Sequence, residues 1–328
     1  MRKARVLSIL FVLVLLVVAV LAEAQQPKRI PQIGILIAAS ASSYSARLEA
    51  FRQRLRELGY VEGKNIVIEY RYAEGKLERL PDLAAELVRL KVDVIVVTAQ
   101  AVLAAKKASP TIPIVFGAAA DPVGSGFVSS LARPGGNITG LSVMSPDLDG
   151  KRLELLKEAF PTVARVAFLW QSSSDSRGNP AFTDMELAAK TLGLKLQSLP
   201  VRGLDDFESA FARLKKEGAE ALITTSGPLL STQQREVLAF AAKNRLPAIY
   251  PASEFVEAGG LMSYAPNYTD LWRRAATYVD NILKGAKPSD LPVEQPTKFE
   301  LIIDLKAAKQ IGLTIPPNVL ARADKVIK

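Results

Sequence analysis

The chain has 328 residues and a formal net charge of +9, and it contains neither cysteine nor histidine. Their absence excludes Ser-His-Asp and Cys-His nucleophile systems, thiolate or imidazole zinc sites and histidine-ligated haem, so any catalysis would have to use carboxylates, lysine, tyrosine or an oxygen-ligated metal. Hydrophobic residues make up 49% of the chain, enough for a large core. Because single cores usually split at about 300 residues, we expect two lobes.

The positive charge is spread along the chain and does not form one basic segment. Even where cations cluster, as at Arg52, Arg54 and Arg56, they alternate with the apolar face of a predicted helix. That pattern is typical of a solvated helix face. We therefore expect no nucleic-acid partner.

The first 24 residues have the layout of a cleaved signal peptide. Arg2, Lys3 and Arg5 precede an uncharged stretch at 6–21, and Ala-Glu-Ala at 22–24 supplies the small residues of a cleavage site. The uncharged stretch is shorter than the roughly 20 residues that span a bilayer. We predict cleavage after residue 24, the alternative being an uncleaved anchor. Without cysteine the chain cannot be a lipoprotein, so we predict a protein free in the periplasm.

Strand-like and helix-like segments alternate from Gln32 onward. Leu48, Phe51, Leu55 and Leu58 recur at helical spacing before a glycine, which predicts an amphipathic helix. The other predicted elements of this half are strands at 33–38, 65–73, 92–98 and 112–116 and helices at 80–90 and 101–109. Repeated βα units with apolar strands indicate a parallel sheet covered by helices.

The second half repeats this order. Predicted strands lie at 166–170, 194–201, 219–225 and 246–250, and predicted helices at 181–193, 205–218 and 231–244. The segment I-P-I-V-F at 112–116 corresponds to L-P-A-I-Y at 246–250. We therefore predict an α/β fold with two similar doubly wound parallel-sheet lobes.

Three crossings are predicted to join the lobes, near 142–145, 263–266 and 294–297. The predicted boundaries are 28–141 plus 266–294 for the first lobe and 142–265 plus 295–328 for the second. Connections of this kind form a hinge that can close around a ligand.

Several motifs spread over nearly the whole mature chain occur together. They are IGIL and GKNIVIEYR near the start, ADPVGSGFV, LARPGGNITGLS and KRLELLKEAFP in the middle, and the tail ILKGAKPSDLPVEQPTKFELIIDLKAAKQIGLTIPP. In these motifs the chain resembles the type I periplasmic substrate-binding proteins of ABC transporters, in their tryptophan-binding-protein-like branch. The resemblance implies a two-lobed protein that binds its ligand in the cleft, delivers it to a membrane permease and has no catalytic activity. It does not fix the ligand.

The glycine-rich loop FGAAADPVGSG at 116–126 is not a phosphate-binding motif. Its glycines are not followed by the lysine that a G-x-x-x-x-G-K-[ST] loop requires, and the loop at 39–45 lacks G-x-G-x-x-G. We predict no cofactor. The loop corresponds to YPASEFVEAGG at 250–260, and ligands of parallel sheets bind at the carboxyl ends of strands. We predict that the two loops form facing sides of one cleft.

Polar residues in the loops after predicted strands are candidate ligand contacts. Hydroxyls and free amides at helix N-termini suit a carboxylate, the alternative being that the serines only cap helices. The candidates of this kind are Ser42, Ser43, Thr98, Gln100, Ser173, Asp175 and Ser226.

Acidic and aromatic residues at the same predicted edges add two further recognition elements. Asp121 and Glu254 are candidates for holding an ammonium group, although Asp121 is equally compatible with an Asp-Pro turn. Candidates for stacking on a flat or apolar ligand are Tyr44, Phe116, Trp170, Tyr250 and Tyr264, with core filling as the alternative. Together these contacts predict an amino acid or a similar small carboxylate.

Two other functional classes are alternatives to ligand binding for transport. The pairs Asp147 with Asp149 and Asp205 with Asp206 could serve acid-base catalysis, but both precede helical patterns, where acids stabilise the first turn. We therefore predict no enzyme activity. A binding protein that is read by a membrane receptor stays open as an alternative. The main prediction is a monomer that delivers its ligand to an ABC permease in the inner membrane.

Overall fold

The structure is a computed structural model in which residues 29–143, 145–172, 180–296 and 298–328 are described, without the side chains of 145–147, 180 and 181. The chain divides into residues 1–31 and a compact unit from Gln32 to Lys328, which carries everything below. The predicted signal peptide at 1–24 lies outside the described residues, and its cleavage stays a prediction. Within the described ranges, no helix is both long enough and apolar enough to cross a bilayer.

The first sheet has five parallel strands in the order β2-β1-β3-β4-β5. Its strands are β1 (Gln32–Ile37), β2 (Val67–Tyr72), β3 (Val94–Val97), β4 (Ile114–Ala119) and β5 (Ile138–Ser142). The helices between them are α1 (Ser45–Glu57), α2 (Leu80–Arg89) and α3 (Val102–Ala108). The central strands are apolar along their length because helices cover both faces of the sheet.

Helix α1 shows how the sequence pattern produces this packing. Leu48, Phe51 and Leu55 are buried and belong to one core cluster with Ile33 and Ile35 of β1. The helix ends where predicted, and the following Gly59 has a φ of 92°, a conformation that glycine adopts without steric cost.

The second sheet has seven strands in the order β12-β11-β10-β9-β8-β6-β7. Its strands are β6 (Arg165–Gln171), β7 (Lys195–Val201), β8 (Ala221–Thr224), β9 (Ala248–Tyr250), β10 (Met262–Pro266), β11 (Phe299–Asp304) and β12 (Lys325–Ile327). Its helices are α4 (Ser145–Ala159), α5 (Pro180–Thr191), α6 (Asp206–Glu217), α7 (Pro228–Thr232), α8 (Gln234–Lys243), α9 (Ser253–Glu257), α11 (Leu305–Gln310) and α12 (Pro317–Leu320). The prediction of two α/β lobes is confirmed, but β11 runs antiparallel to β10.

One helix of the second half packs on the first sheet. This helix, α10 (Tyr268–Leu283), follows β10 directly and lies against α1, β3, β4 and β5. Asn267 caps it by accepting a hydrogen bond from the backbone N–H of Asp270 at 2.9 Å. The chain therefore leaves the second lobe after β10 and must cross back to reach β11.

Two of the crossings between the lobes run side by side. The chain passes from β5 into α4, and it returns from the first lobe through the segment that precedes β11. Leu141 and Glu294 form a parallel bridge, and the backbone N–H of Ser142 donates to the carbonyl of Glu294 at 2.8 Å. Crossings near 142, 266 and 294 fit the predicted three-segment connection, whereas the lobe boundaries to the residue stay predictions.

Candidate ligand-binding site

A cavity of about 820 Å³ lies between the two lobes. Its walls come from the segments that follow β1, β3 and β4 of the first sheet and β6, β8 and β9 of the second, together with α4, α5 and the start of α10. The carboxyl ends of both sets of parallel strands therefore face one space, as in open α/β sheets that bind ligands. The volume is within the range of small-molecule sites.

Five of the predicted contact residues line this cavity. They are Tyr44, Gln100, Asp121, Trp170 and Ser226. Ser173 and Asp175 lie outside the described residues. Contact of any of these seven with a ligand stays a prediction.

The predicted hydroxyl contacts Ser42, Ser43 and Thr98 are not among the described residues that line the cavity. Ser43 donates its hydroxyl to the carbonyl of Ser40 at 3.0 Å, and the hydroxyls of Ser42 and Ser40 lie 3.2 Å apart. Thr98 accepts a hydrogen bond from the backbone N–H of Ala38 at 3.1 Å. The serine hydroxyls thus bond within one turn and Thr98 links the segment after β1 to the end of β3, whereas the alternative drawn from the sequence was helix capping.

Three predicted stacking residues also lie elsewhere. Phe116 and Tyr250 are buried in the core clusters, and the Tyr250 ring stacks on Phe255 at 5.0 Å between centroids. Tyr264 packs against Phe299 at 6.1 Å. Phe116 and Tyr264 lie within β4 and β10 and Tyr250 ends β9, so all three rings pack against neighbouring elements, Tyr264 being only partly buried.

Asp121 adopts the turn that the sequence left open. Its Oδ1 accepts a hydrogen bond from the backbone N–H of Gly124 at 2.8 Å. A Cβ at position 124 would lie 2.0 Å from the Asp121 carboxylate, so a larger residue there would have to displace that side chain. The side chain is exposed and also lines the cavity.

Glu254, the other predicted ammonium contact, bonds to an arginine of the opposite lobe. Arg47 Nε donates to Glu254 Oε1 at 2.5 Å, and the two side chains are only 11% and 15% exposed. Arg47 lines the cavity, whereas Glu254 is not among the described lining residues. A ligand would therefore meet the guanidinium first.

The surroundings of Arg47 keep this ion pair charged. Burial raises the pKa of Glu254, but the charge and hydrogen bond of Arg47 outweigh it, so the pKa lies below its usual value. The guanidinium carbon lies 4.3 Å from the ring centroid of Tyr268 and 4.8 Å from that of Tyr44. Stacking of this kind favours the cation. Sequence reasoning missed Arg47 because it lies in a helix rich in solvated arginines.

A second buried ion pair lies in α4. Asp149 lines the cavity and is 15% exposed, and it bonds to Arg152, which is 1% exposed. Arg152 Nε donates to the carbonyl of Tyr264 at 2.7 Å, while its Nη2 has no partner among the described residues. Burial raises the pKa of Asp149, and the neighbouring charge of Arg152 offsets this only in part.

Aromatic rings complete the walls of the cavity. Trp170 is stacked near Phe168 and Phe182, at 6.4 and 6.2 Å between centroids, and its Nε1 donates to the hydroxyl of Ser198 at 3.0 Å. Trp170 and Phe168 line the cavity from the second lobe, and Tyr44 lines it from the first. The cavity thus combines flat apolar surfaces with ionised groups and suits a small molecule that carries both.

The described residues contain no group of three or more acidic side chains placed to hold a metal ion. The acids that line the cavity lie in the loop after β4, on α4 and on α5. Lys151 neutralises one of them, since its Nζ donates to Glu154 at 2.6 Å.

Comparisons with known proteins place this geometry in a family. Residues 32–327 match the model of the ABC transporter substrate binding protein family. A relative from Clostridioides difficile (strain R20291), named tyrosine-binding protein, is 26% identical over 87% of this chain and 82% of its own length.

Two solved structures resemble this chain to different degrees. An ABC domain from Streptococcus pneumonia in complex with L-Trp is 27% identical, covers 90% of this chain and 99% of its own, and has a TM-score of 0.81. A ligand-free, open substrate binding protein from Clostridium difficile is 25% identical, covers 91% of this chain and 100% of its own, and has a TM-score of 0.63. The match to the family model over nearly the whole compact unit identifies this chain as a member of the ABC transporter substrate binding protein family.

Proposed function

We propose that this protein captures an amino acid with an aromatic or branched side chain in the cleft between its lobes and delivers it to an ABC permease. The observation that carries the proposal is the cavity of about 820 Å³, in which aromatic rings and ionised side chains from both lobes surround one space. A zwitterion with an apolar side chain needs both kinds of contact.

The relatives support the same class of ligand. One is named a tyrosine-binding protein, and another was solved with L-Trp. The higher TM-score to the L-Trp complex than to the ligand-free, open structure is what a closed arrangement of the lobes would give.

Delivery to a permease requires export. The proposal includes secretion through a cleaved signal peptide, a monomer in the periplasm and release of the ligand when the lobes open at the permease. Catalysis has no part in this cycle, and the family membership supports a binding role.

A thermal-shift screen with amino acids and small carboxylates tests the ligand class. A ligand at 100 times its Kd adds about 2.7 kcal/mol to the free energy of unfolding, which raises the melting temperature measurably. We expect aromatic or branched amino acids to give the largest shifts, with affinity then measured by calorimetry. A shift with simple carboxylates alone would contradict the amino-acid proposal.

A further inference from the structure

The cavity contains several acids, and they differ in how far each is removed from water. Asp121 and Asp184 are exposed, and Glu154 is 47% exposed and bonded to Lys151. The Asp149 side chain is only 15% exposed although it lines the same space. An exposed carboxylate is screened by water and salt, whereas a desolvated one interacts strongly with a cation that enters the cavity.

Arg152 favours the ionised form of Asp149. The guanidinium is buried, and arginine cannot lose its proton in a protein, so its charge needs a nearby anion. Asp149 supplies that anion through Oδ1, which accepts from Arg152 Nη1. A carboxylate has further acceptor positions, which leaves Oδ2 able to accept a hydrogen bond from a ligand.

Arg152 also fixes where this carboxylate lies. Its Nε donates to the carbonyl of Tyr264 at 2.7 Å, which ties α4 to β10 shortly before the chain crosses to the first lobe. With the guanidinium held on one side by β10, its Nη1 positions Asp149 at the cavity wall. The geometry is that of a preorganised acceptor for a cationic group.

The other strong candidate for an ammonium contact, Glu254, already has a cationic partner. Its carboxylate bonds to Arg47 across the lobes, and Glu254 is not among the described residues that line the cavity. Asp121 bonds to the backbone N–H of Gly124 and is open to solvent.

We propose that Asp149 binds the ammonium group of the ligand and that Arg152 is its positioning residue, so that this pair makes the site select amino acids over the same carboxylic acids without an amino group. This assignment rests on the proposed function. Burial raises the pKa of Asp149, which is consistent with a carboxylate that gains from a second cationic partner.

Calorimetry with matched ligand pairs tests the assignment. The pairs are L-tyrosine with 3-(4-hydroxyphenyl)propanoate and L-tryptophan with indole-3-propanoate, which differ only in the amino group. In Asp149→Asn we expect affinity for the amino acids to fall about tenfold to a hundredfold, the range of a charge-assisted hydrogen bond. Affinity for the acids without the amino group should stay unchanged.

Further variants keep the test decisive. Glu158→Gln is the matched control, because Glu158 lies on the same helix and bonds to Arg322 at an exposed site; both ligands of each pair should bind it as they bind the wild type. If Asp149→Asn does not fold, the double variant Asp149→Asn with Arg152→Met removes both buried charges and should show the same selective loss. Arg152→Lys, which retains a cation, should recover part of the selectivity that Arg152→Met loses.

The outcomes separate this assignment from the proposed function. A wild-type protein that binds none of the amino acids contradicts the proposed function and the assignment with it. If the wild type binds amino acids and Asp149→Asn binds them equally well, or loses both members of each pair alike, only the assignment is overturned. If Asp121→Asn selectively loses affinity for the amino acids and Asp149→Asn does not, the assignment of Asp149 is overturned as well.

Discussion

Arg47 and Glu254 form a buried ion pair that joins α1 of the first lobe to α9 of the second, with Arg47 Nε 2.5 Å from Glu254 Oε1. The two residues are 207 positions apart in the chain. Because the pair joins the two lobes, the hinge opening proposed above would have to break it.

Removing one partner of this pair should open the ligand-free protein. Breaking a buried pair costs about 3–5 kcal/mol when the remaining charge stays buried. In Glu254→Gln, opening the cleft lets water reach Arg47, so we expect the free energy of unfolding to fall by less than about 3 kcal/mol. The radius of gyration from small-angle scattering should rise.

A carboxylate within one lobe provides the control for that experiment. Glu57 bonds to Arg273, and both residues belong to elements of the first lobe. Glu57→Gln should leave the radius of gyration unchanged. Equal profiles for wild type and Glu254→Gln would show that the pair does not hold the lobes together.

Acid should have the same effect as the substitution. The pKa of Glu254 lies below its ordinary value of 4.5 in this structure, where the pair is formed, so the pair should favour this arrangement of the lobes above pH 4.5 and lose that contribution as the pH falls through the lowered pKa. We expect the wild-type radius of gyration to rise over that range below pH 4.5. Glu254→Gln should be open at the start and show little change, and a parallel rise in both proteins would assign the effect to other groups.

The strand and helix pattern predicted most of the fold because it depends on local periodicity. Leu48, Phe51 and Leu55 repeat at helical spacing, and the continuous apolar strands required cover on both faces. The antiparallel placement of β11 could not be predicted in this way. It depends on how a segment that returns from the other lobe pairs with β10.

Sequence reasoning predicted site residues only where a loop could be assigned to the end of a predicted strand. That reasoning brought Tyr44, Gln100 and Ser226 to the cavity. It failed for Arg47, because nothing local distinguishes this arginine from the solvated ones in α1 and its partner lies in the other lobe. It also interpreted Asp149 as a helix-terminal acid, since the burial of Arg152 is a property of the packed structure.

The prediction of export depends on residues 1–24 alone. A positively charged start, a short apolar stretch and small residues at 22 and 24 are the features that signal peptidase requires. Mass spectrometry of the exported protein should give Gln25 as the first residue, and osmotic shock should release it. Replacing Ala22 and Ala24 with leucine should leave the uncleaved chain in the membrane fraction, whereas an uncleaved wild-type chain there would mean that the segment is an anchor.

Packing requires Gly117, the first glycine of the segment at 116–126. Gly117 lies in β4 under α10, and a Cβ there would be 2.5 Å from the ring of the buried Trp272. Gly117→Ala must displace that ring, so we expect the free energy of unfolding to fall by about 1–3 kcal/mol, measured by urea denaturation. Gly203→Ala is the control, because its added Cβ meets no atom within 4 Å, and it should change stability by less than about 0.5 kcal/mol. Equal stability of the two variants would mean that α10 can shift on the sheet without loss of packing.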